Sequence, residues 1–479
     1  MGGYGAGDRH VTSHIDRPGL VDASPPSKLP LLLAIYLPQF HQTPENDAWH
    51  GAGFTEWRVV ARNRPIFEGH DQPQLPGELG FYDLRLPEVR ELQARLAQAH
   101  GISGFSYYHY WFKGQRMLER PFNEVLESGQ PDFPFSLCWA NESWFRRWEN
   151  SVDEMLVEQE YDEADDLEHI HWLINAFSDE RYIRVNGRPL FSIYRPLALP
   201  EPRRMTDLWR KECVQAGLPE PWLVAFESPV ETFDPADLGF DATMDFTPRT
   251  FSRLAQPTDT PAGCNLGNQV WNYADVVDAY ANWQGAAWTR YPSVGTGWDN
   301  TPRRRDGRAS LIRGSTPELY ATWLDRAIAQ QEDQPNDGLV YINAWNEWAE
   351  GAHLEPDAAH GRAYLEATRR VVLARGGTID QPSTDALDVG PPTPVEKLYA
   401  ALYDKFALLQ KYSSGFQANL DRRIGRLQAA HDAEVKLLRN TNRTLAARAM
   451  SLEQRFATQP SGGASASEIE PGVMRPPIS

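Results

Sequence analysis

Cysteine is scarce in this chain, with three residues in 479, and Cys138, Cys213 and Cys264 stand far apart without any CxxC spacing. An odd, scattered set excludes a disulfide framework and a thiolate zinc site, and it fits a reducing compartment. Metal-ligand spacing is missing: the histidines are scattered and no HExxH is present, so no metal is expected. Neither a GxGxxG after a strand nor a GK[ST] loop occurs, so no dinucleotide or P-loop cofactor is expected. A nucleoside-diphosphate sugar held by other means stays open. Long hydrophobic runs are lacking too. The longest early one, 31–37, is far too short to cross a bilayer. Residues 1–30, rich in Gly, Ser, Asp and Pro, hold no apolar signal-peptide core, so a cytoplasmic location without a transmembrane segment is the expectation. Positive charge is in deficit. The formal net charge of −18 repels phosphate backbones and anionic lipid, which argues against nucleic acid and membrane surfaces as partners of the main body.

Aromatic side chains are plentiful instead: 16 Trp, 18 Tyr and 20 Phe, many of them beside carboxylates and amides rather than inside apolar runs. Flat aromatic faces next to polar groups suit sugar rings, which present apolar C–H faces and a rim of hydroxyls. The bland alternative is that these rings are core. Short β-prone runs recur at 31–37, 102–108, 133–139, 188–194, 222–226, 240–246, 291–298 and 338–345, the seventh being the weakest. Helical stretches at 86–100, 164–177, 316–331 and 360–373 fit between or after them. Strand and helix alternating in this way predict an α/β fold of the (β/α)8 TIM-barrel type. The expected organisation is a flexible segment over 1–30, the barrel over 31–376, a linker over 377–394, a helical tail over 395–456 and a disordered C-terminus over 457–479. In the tail, Leu402, Phe406, Leu409, Phe416, Leu420 and Leu427 approach a heptad seam, and 11 Lys+Arg stand against 6 Asp+Glu. A coiled-coil helix that self-associates or binds a protein partner fits that pattern, and so does a solvated helix face.

Barrel enzymes carry their chemistry on the loops after the strands. Those ends are unusually polar and aromatic here. Tyr36 and His41 follow the first strand, with Glu56 and Trp57 in the loop beyond; Tyr108, His109, Tyr110 and Trp111 end the second. Trp139, Asn141 and Glu142 end the third, Trp298, Asp299 and Asn300 the seventh, and Trp345, Asn346, Glu347, Trp348 and Glu350 the eighth. All are candidates for contact with an oligosaccharide or polysaccharide. Each also has a plainer role: Glu56 as a helix cap, His109 as a satisfied core histidine, Asp299 and Asn300 as turn formers, Glu142 in an ion pair with Arg146 or Arg147.

Breaking or moving a glycosidic bond needs an acid to protonate the departing oxygen and a second carboxylate to act near the anomeric carbon. Glu347 and Glu350 are the pair that stand out. Three residues apart at a strand end that turns, their Cβ atoms converge to roughly 5–6 Å, which favours retention. Trp345 and Trp348 are placed to desolvate one carboxyl and raise its pKa. The competing view is that both acids are rim residues satisfied by an arginine or by backbone N–H groups. Glu355, in Gly351–Pro356, ranks as a third, orienting acid.

The segments Tyr36–His41, Gly53–Trp57, Gly80–Arg85, Tyr107–Phe112, Cys138–Glu142, Asp299–Arg303 and Asn343–Gly351 together resemble the WbsX-type family, whose domain is similar to the endo-α-mannosidase-like glycoside hydrolase family 99. The resemblance covers roughly 31–375. It implies a (β/α)8 barrel acting on glycans, often in bacterial surface-polysaccharide synthesis such as O-antigen or capsule. It also implies that Glu347 assists the substrate's own 2-hydroxyl in attacking the anomeric carbon, while Glu350 serves as acid/base. The expected function is a retaining enzyme that cleaves or transfers glycosidic bonds. A sugar-nucleotide-dependent glycosyltransferase and a non-catalytic glycan-binding protein are the alternatives.

Overall fold

The computed structural model describes residues 29–379 apart from 147–153, 228–232, 248–254, 259–260, 262–263, 265–266, 282–285, 305–307 and 333–337. The chain divides into two units, Met1–Thr384 and Asp385–Ser479. The readings for the segment up to residue 28, and for the linker, tail and C-terminus from 380 onward, lie outside the described residues.

Eight strands form the centre of the first unit: β1 Leu31–Tyr36, β2 Gly104–Phe112, β3 Phe135–Trp139, β4 Arg188–Ile193, β5 Trp222–Phe226, β6 Ala242–Met244, β7 Arg290–Tyr291 continuing as Ser293–Gly295, and β8 Leu339–Asn343. Each pairs in parallel with the next, and β1 pairs with β8. Pro292 interrupts β7 because it has no N–H to give, yet its carbonyl accepts from Tyr341 N at 3.0 Å. The residues before Pro292 pair with β6 and those after it pair with β8, so the sheet closes on itself. The result is a closed (β/α)8 barrel.

Helices connect the strands: α1 Pro44–His50, α2 Trp57–Ala61 and α3 Pro87–Ala99 after β1, α4 Arg120–Ser128 after β2, α5 Glu163–Phe177 after β3, and α6 Pro202–Gln215 after β4. A 3-10 turn, Pro235–Leu238, joins β5 to β6; α7 Tyr273–Ala281, α8 Pro317–Ala329 and α9 Ala363–Ala374 follow β6, β7 and β8. The start signal read at Ser315–Glu318 is a working cap, with Thr316 Oγ1 accepting from Leu319 N at 3.2 Å. Asp162 caps α5 in the same way, accepting from Asp165 N at 2.9 Å.

Alternation along the strands sorts side chains to two faces. Leu33, Ile35, Cys138, Leu190, Val224, Phe226, Ala242, Met244, Tyr291, Leu339 and Tyr341 join in one buried cluster. Full burial of each large apolar side chain contributes about 1.5–3 kcal/mol before conformational entropy is charged against it. The seventh strand departs from expectation. Trp298–Asp299, read as its end, instead pairs with Ser310–Arg313 in a separate sheet that also holds Gln269–Asn272. The chain leaves the barrel through Gly297, where a Cβ would lie 2.9 Å from the Gly351 carbonyl oxygen.

Candidate active site

Three loops bring charged groups together beyond the C-terminal ends of β1, β7 and β8. Arg303 lies at the centre. Its Nη2 is 2.6 Å from Glu56 Oε1 and 3.0 Å from Glu347 Oε2, its Nη1 is 2.6 Å from Glu350 Oε1, and its Nε donates to Glu56 Oε1 at 2.7 Å. One guanidinium therefore holds three carboxylates. Glu347 ends a two-residue strand, Asn346–Glu347, and Glu350 ends the 3-10 turn Trp348–Glu350. In a turn of that pitch residues three apart eclipse, which is why both acids reach the same cation. Gly351 closes the turn at φ +61, and a Cβ there would lie 3.0 Å from both the N and Cβ of Asp299. Only glycine fits both the dihedral and the space.

The environments of the acids differ. Glu347 is 4 % exposed, whereas the side chain of Glu350 is 22 % exposed. Burial pushes the Glu347 carboxyl well above the usual range; Arg303 opposes the shift, and Glu350 and Glu56 add to it. Glu56 occupies the N-cap position of α2 but makes no side-chain cap bond, which leaves its carboxylate to Arg303. Tyr108 and Tyr110, from the inward parity of β2, border this cluster. Burial raises both phenols, and the charge of Glu347 is the next cause for each.

A second layer supports the first. Glu355 is buried and accepts from Tyr82 Oη at 2.8 Å, Gln93 Nε2 at 2.6 Å and Trp348 Nε1 at 2.7 Å. Burial pushes its carboxyl up to about 7 against those bonds. Trp348 is thereby fixed, and its ring stacks on His353 with centroids 3.8 Å apart. Asn346 binds the backbone of Leu37 with both halves of its amide, accepting from N at 2.7 Å and donating to O at 3.0 Å. Trp345 is fully buried, its backbone N–H donating to the Ile35 carbonyl at 2.7 Å. Trp57 donates to the Tyr82 carbonyl at 2.8 Å.

Other expected contacts lie elsewhere. Strand parity turns Tyr36, His109, Trp111 and Trp139 to the outer face, beneath the helices. Tyr36 donates to Gln93 at 2.7 Å, His109 meets His169 of α5 at 2.9 Å between Nε2 atoms, and Trp111 donates to Asp165 at 2.8 Å. Trp139 is buried against His169 and Trp209. His41 is buried, and desolvation lowers its pKa to about 4. Asn141 bonds the backbone of Arg195 and the hydroxyl of Tyr161; Glu142 pairs with Arg195 at 3.1 Å, and Arg147, one of the two partners expected for it, lies outside the described residues. Trp298 and Asn300 bond Ser310. Asp299 accepts from His70 Nε2 and Gln72 Nε2, both at 2.7 Å, and from Thr301 N at 3.0 Å. His70 Nδ1 accepts from Ile66 N at 3.1 Å, which assigns the ring proton to Nε2. Asp299 thus ties the Arg303 loop to the β1 loop. Arg303 ends the segment Asp299–Arg303, yet the sequence does not single it out, because an arginine beside three acids from two other loops has no signature in the chain. Among the described residues no group of three His, Cys, Asp or Glu is arranged to hold a metal.

A closed (β/α)8 barrel with charged side chains gathered at its C-terminal mouth has the layout of the barrel enzymes, whose sites lie at that face. Residues 32–368 match the family described as Glycosyltransferase WbsX, and the chain belongs to that family of carbohydrate-active enzymes. It is 44% identical over 360 residues to proteins from two strains of Xanthomonas campestris pv. campestris, each described as "Uncharacterized protein WxcX". That match takes in 72% of this chain and 50% of the relative, so the chain spans about half the length of the curated relatives it matches. Among solved structures it is similar to one described as a glycoside hydrolase-like protein, with TM-score 0.49 and 13% identity over 74% of this chain and 97% of that one. It is also similar to the GH99 endo-alpha-mannosidase from Bacteroides thetaiotaomicron, with TM-score 0.45 and 15% identity over 72% and 97%. No helix among the described residues is long and apolar enough to cross a membrane.

Proposed function

We propose that this protein cleaves or transfers glycosidic bonds with retention, in cell-surface polysaccharide metabolism, using Glu347 and Glu350. The observation that carries the reading is the convergence of these two acids, one buried and one partly open, on a single guanidinium at the barrel mouth. Glu350, nearer solvent, protonates the departing glycosidic oxygen as its bond to the anomeric carbon breaks. The sugar's 2-hydroxyl oxygen attacks that carbon from the other side, and its proton passes to Glu347. Burial suits Glu347 to this step, because it strengthens the carboxylate's hold on a proton. Water or an acceptor hydroxyl then opens the 1,2-anhydro ring; it gives its proton to Glu350, and Glu347 returns its proton to the 2-oxygen. Two inversions leave net retention. Tyr108 and Tyr110 line the approach, and Glu56 and Arg303 hold the pair in register.

The family description favours a second reading, transfer from a nucleotide sugar. Both are tested by NMR-monitored turnover of the source organism's surface polysaccharide and its lipid-linked precursors, with and without nucleotide sugars. The first reading expects product without nucleotide and at least about a hundredfold loss in Glu350→Gln, the usual scale for removing an acid/base group. Turnover in Glu350→Gln at the wild-type rate would sink it. Product that forms only with nucleotide sugar establishes the transferase instead.

A further inference from the structure

Most tryptophans whose surroundings are described are core: Trp139, Trp209, Trp271, Trp345 and Trp348 are fully buried. Trp49 and Trp144 are not. Each is half-buried, and both lie at the C-terminal mouth of the barrel, Trp49 on α1 after β1 and Trp144 at the start of a short hairpin, Trp144–Arg146 with Glu154–Val157, after β3. Their rings meet edge to face, with centroids 5.9 Å apart and planes at 77°. Trp144 also stands edge-on to Tyr110 at 5.0 Å and to Phe112 at 5.5 Å. A continuous aromatic line therefore runs outward from Tyr110, beside the carboxylates, through Trp144 to Trp49. The hairpin carries two further apolar side chains in the open, Phe145 at 45% and Met155 at 49% exposure.

Half-buried rings flanked by exposed apolar side chains at the rim of a charged pocket cost solvation unless something covers them. Resting on the glycan reading above, we infer that Trp49 and Trp144 form a separate sugar-binding platform at the barrel rim. It takes pyranose units beyond the bond that is broken, so the substrate is a chain of several sugars rather than a single glycoside. The chemistry follows from the geometry. A pyranose lays its C–H face on an indole and keeps its hydroxyls in water, and two rings set nearly at right angles cradle a chain that turns as it leaves the site.

The test is calorimetric binding of oligosaccharides of one to six residues, prepared by partial acid hydrolysis of the source organism's surface polysaccharide, to the full chain carrying Glu350→Gln so that nothing is consumed. Affinity is expected to rise at least tenfold between one and four residues. In Trp49→Ala and in Trp144→Ala, added separately, the rise disappears while binding of the shortest ligands is unchanged. Trp144→Phe, which keeps a flat ring, is expected to retain most of it and guards against a folding defect, as does the position of Trp49 on a different element. An undiminished length dependence in both alanine variants overturns the platform and leaves the carboxylate reading standing. Failure of every length to bind the Glu350→Gln chain overturns both.

Discussion

With Met in place of Arg303, the cation that opposes burial at Glu347 is gone, and Glu56 and Glu350 are left to raise its proton affinity unopposed. In the proposed step Glu347 must be ionised to accept the hydroxyl proton, so its pKa sets the acid limb of the kcat/KM profile. Arg303→Met is therefore expected to shift that limb to higher pH, whereas Arg303→Lys, which keeps a cation, shifts it less. A pH–rate series on the three proteins decides; movement of the alkaline limb alone would reverse the roles of Glu347 and Glu350. The same substitution removes the cation that three acids share, and with the arginine side chain 30% exposed the loss of stability is expected at about 3 kcal/mol, the lower end of the range for breaking a buried pair. A carboxyl whose proton affinity is raised on folding favours the native state at low pH and weakens it as pH rises through the folded-state value. The destabilisation of Arg303→Met should thus be smaller at pH 5 than at pH 8 in urea denaturation.

At the scale of elements, β8 and the turn that carries both acids are pinned to β1 by Asn346. Asn346→Ala leaves the N–H and carbonyl of Leu37 buried without that partner, and unsatisfied groups of this kind cost about 1–3 kcal/mol each. The expected loss is about 3 kcal/mol in chemical denaturation, with turnover falling because the turn loosens; a variant as stable and active as wild type would show the clamp to be dispensable. Strand positions were legible because their apolar runs are dense, as at Leu31–Tyr36 and Trp222–Phe226. Their faces were read less well. Tyr107–Trp111 is a run of aromatics in which 108 and 110 face the acids while 109 and 111 face α5, and every residue in it looks alike without a count of parity from the core. Trp298 was assigned to the barrel because two glycines and a threonine, not a proline or a charge run, mark the exit from β7.

For the whole molecule, the barrel's strands, helices and acid cluster all lie within Met1–Thr384. A chain ending at residue 384 is expected to unfold in one cooperative transition at an unchanged midpoint and to turn over glycan at the full-length rate. The basic segment over 395–456 is proposed to serve self-association or a protein partner, so light scattering should find more chains per particle in the full-length form than in the shortened one, or a partner held only by the full-length form; an equal number of chains per particle and identical activity would leave that segment without the proposed self-association. What the sequence determined by itself was the repeat of strands and helices, the acidic pair Glu347 and Glu350, and the family, because hydrophobic period and short motifs are local properties of the chain. Only the tertiary structure decided which aromatics face the site and that Arg303 gathers Glu56, Glu347 and Glu350. Those follow from barrel closure, which brings together loops some 250 to 290 positions apart in the chain. No local pattern encodes a contact at that separation.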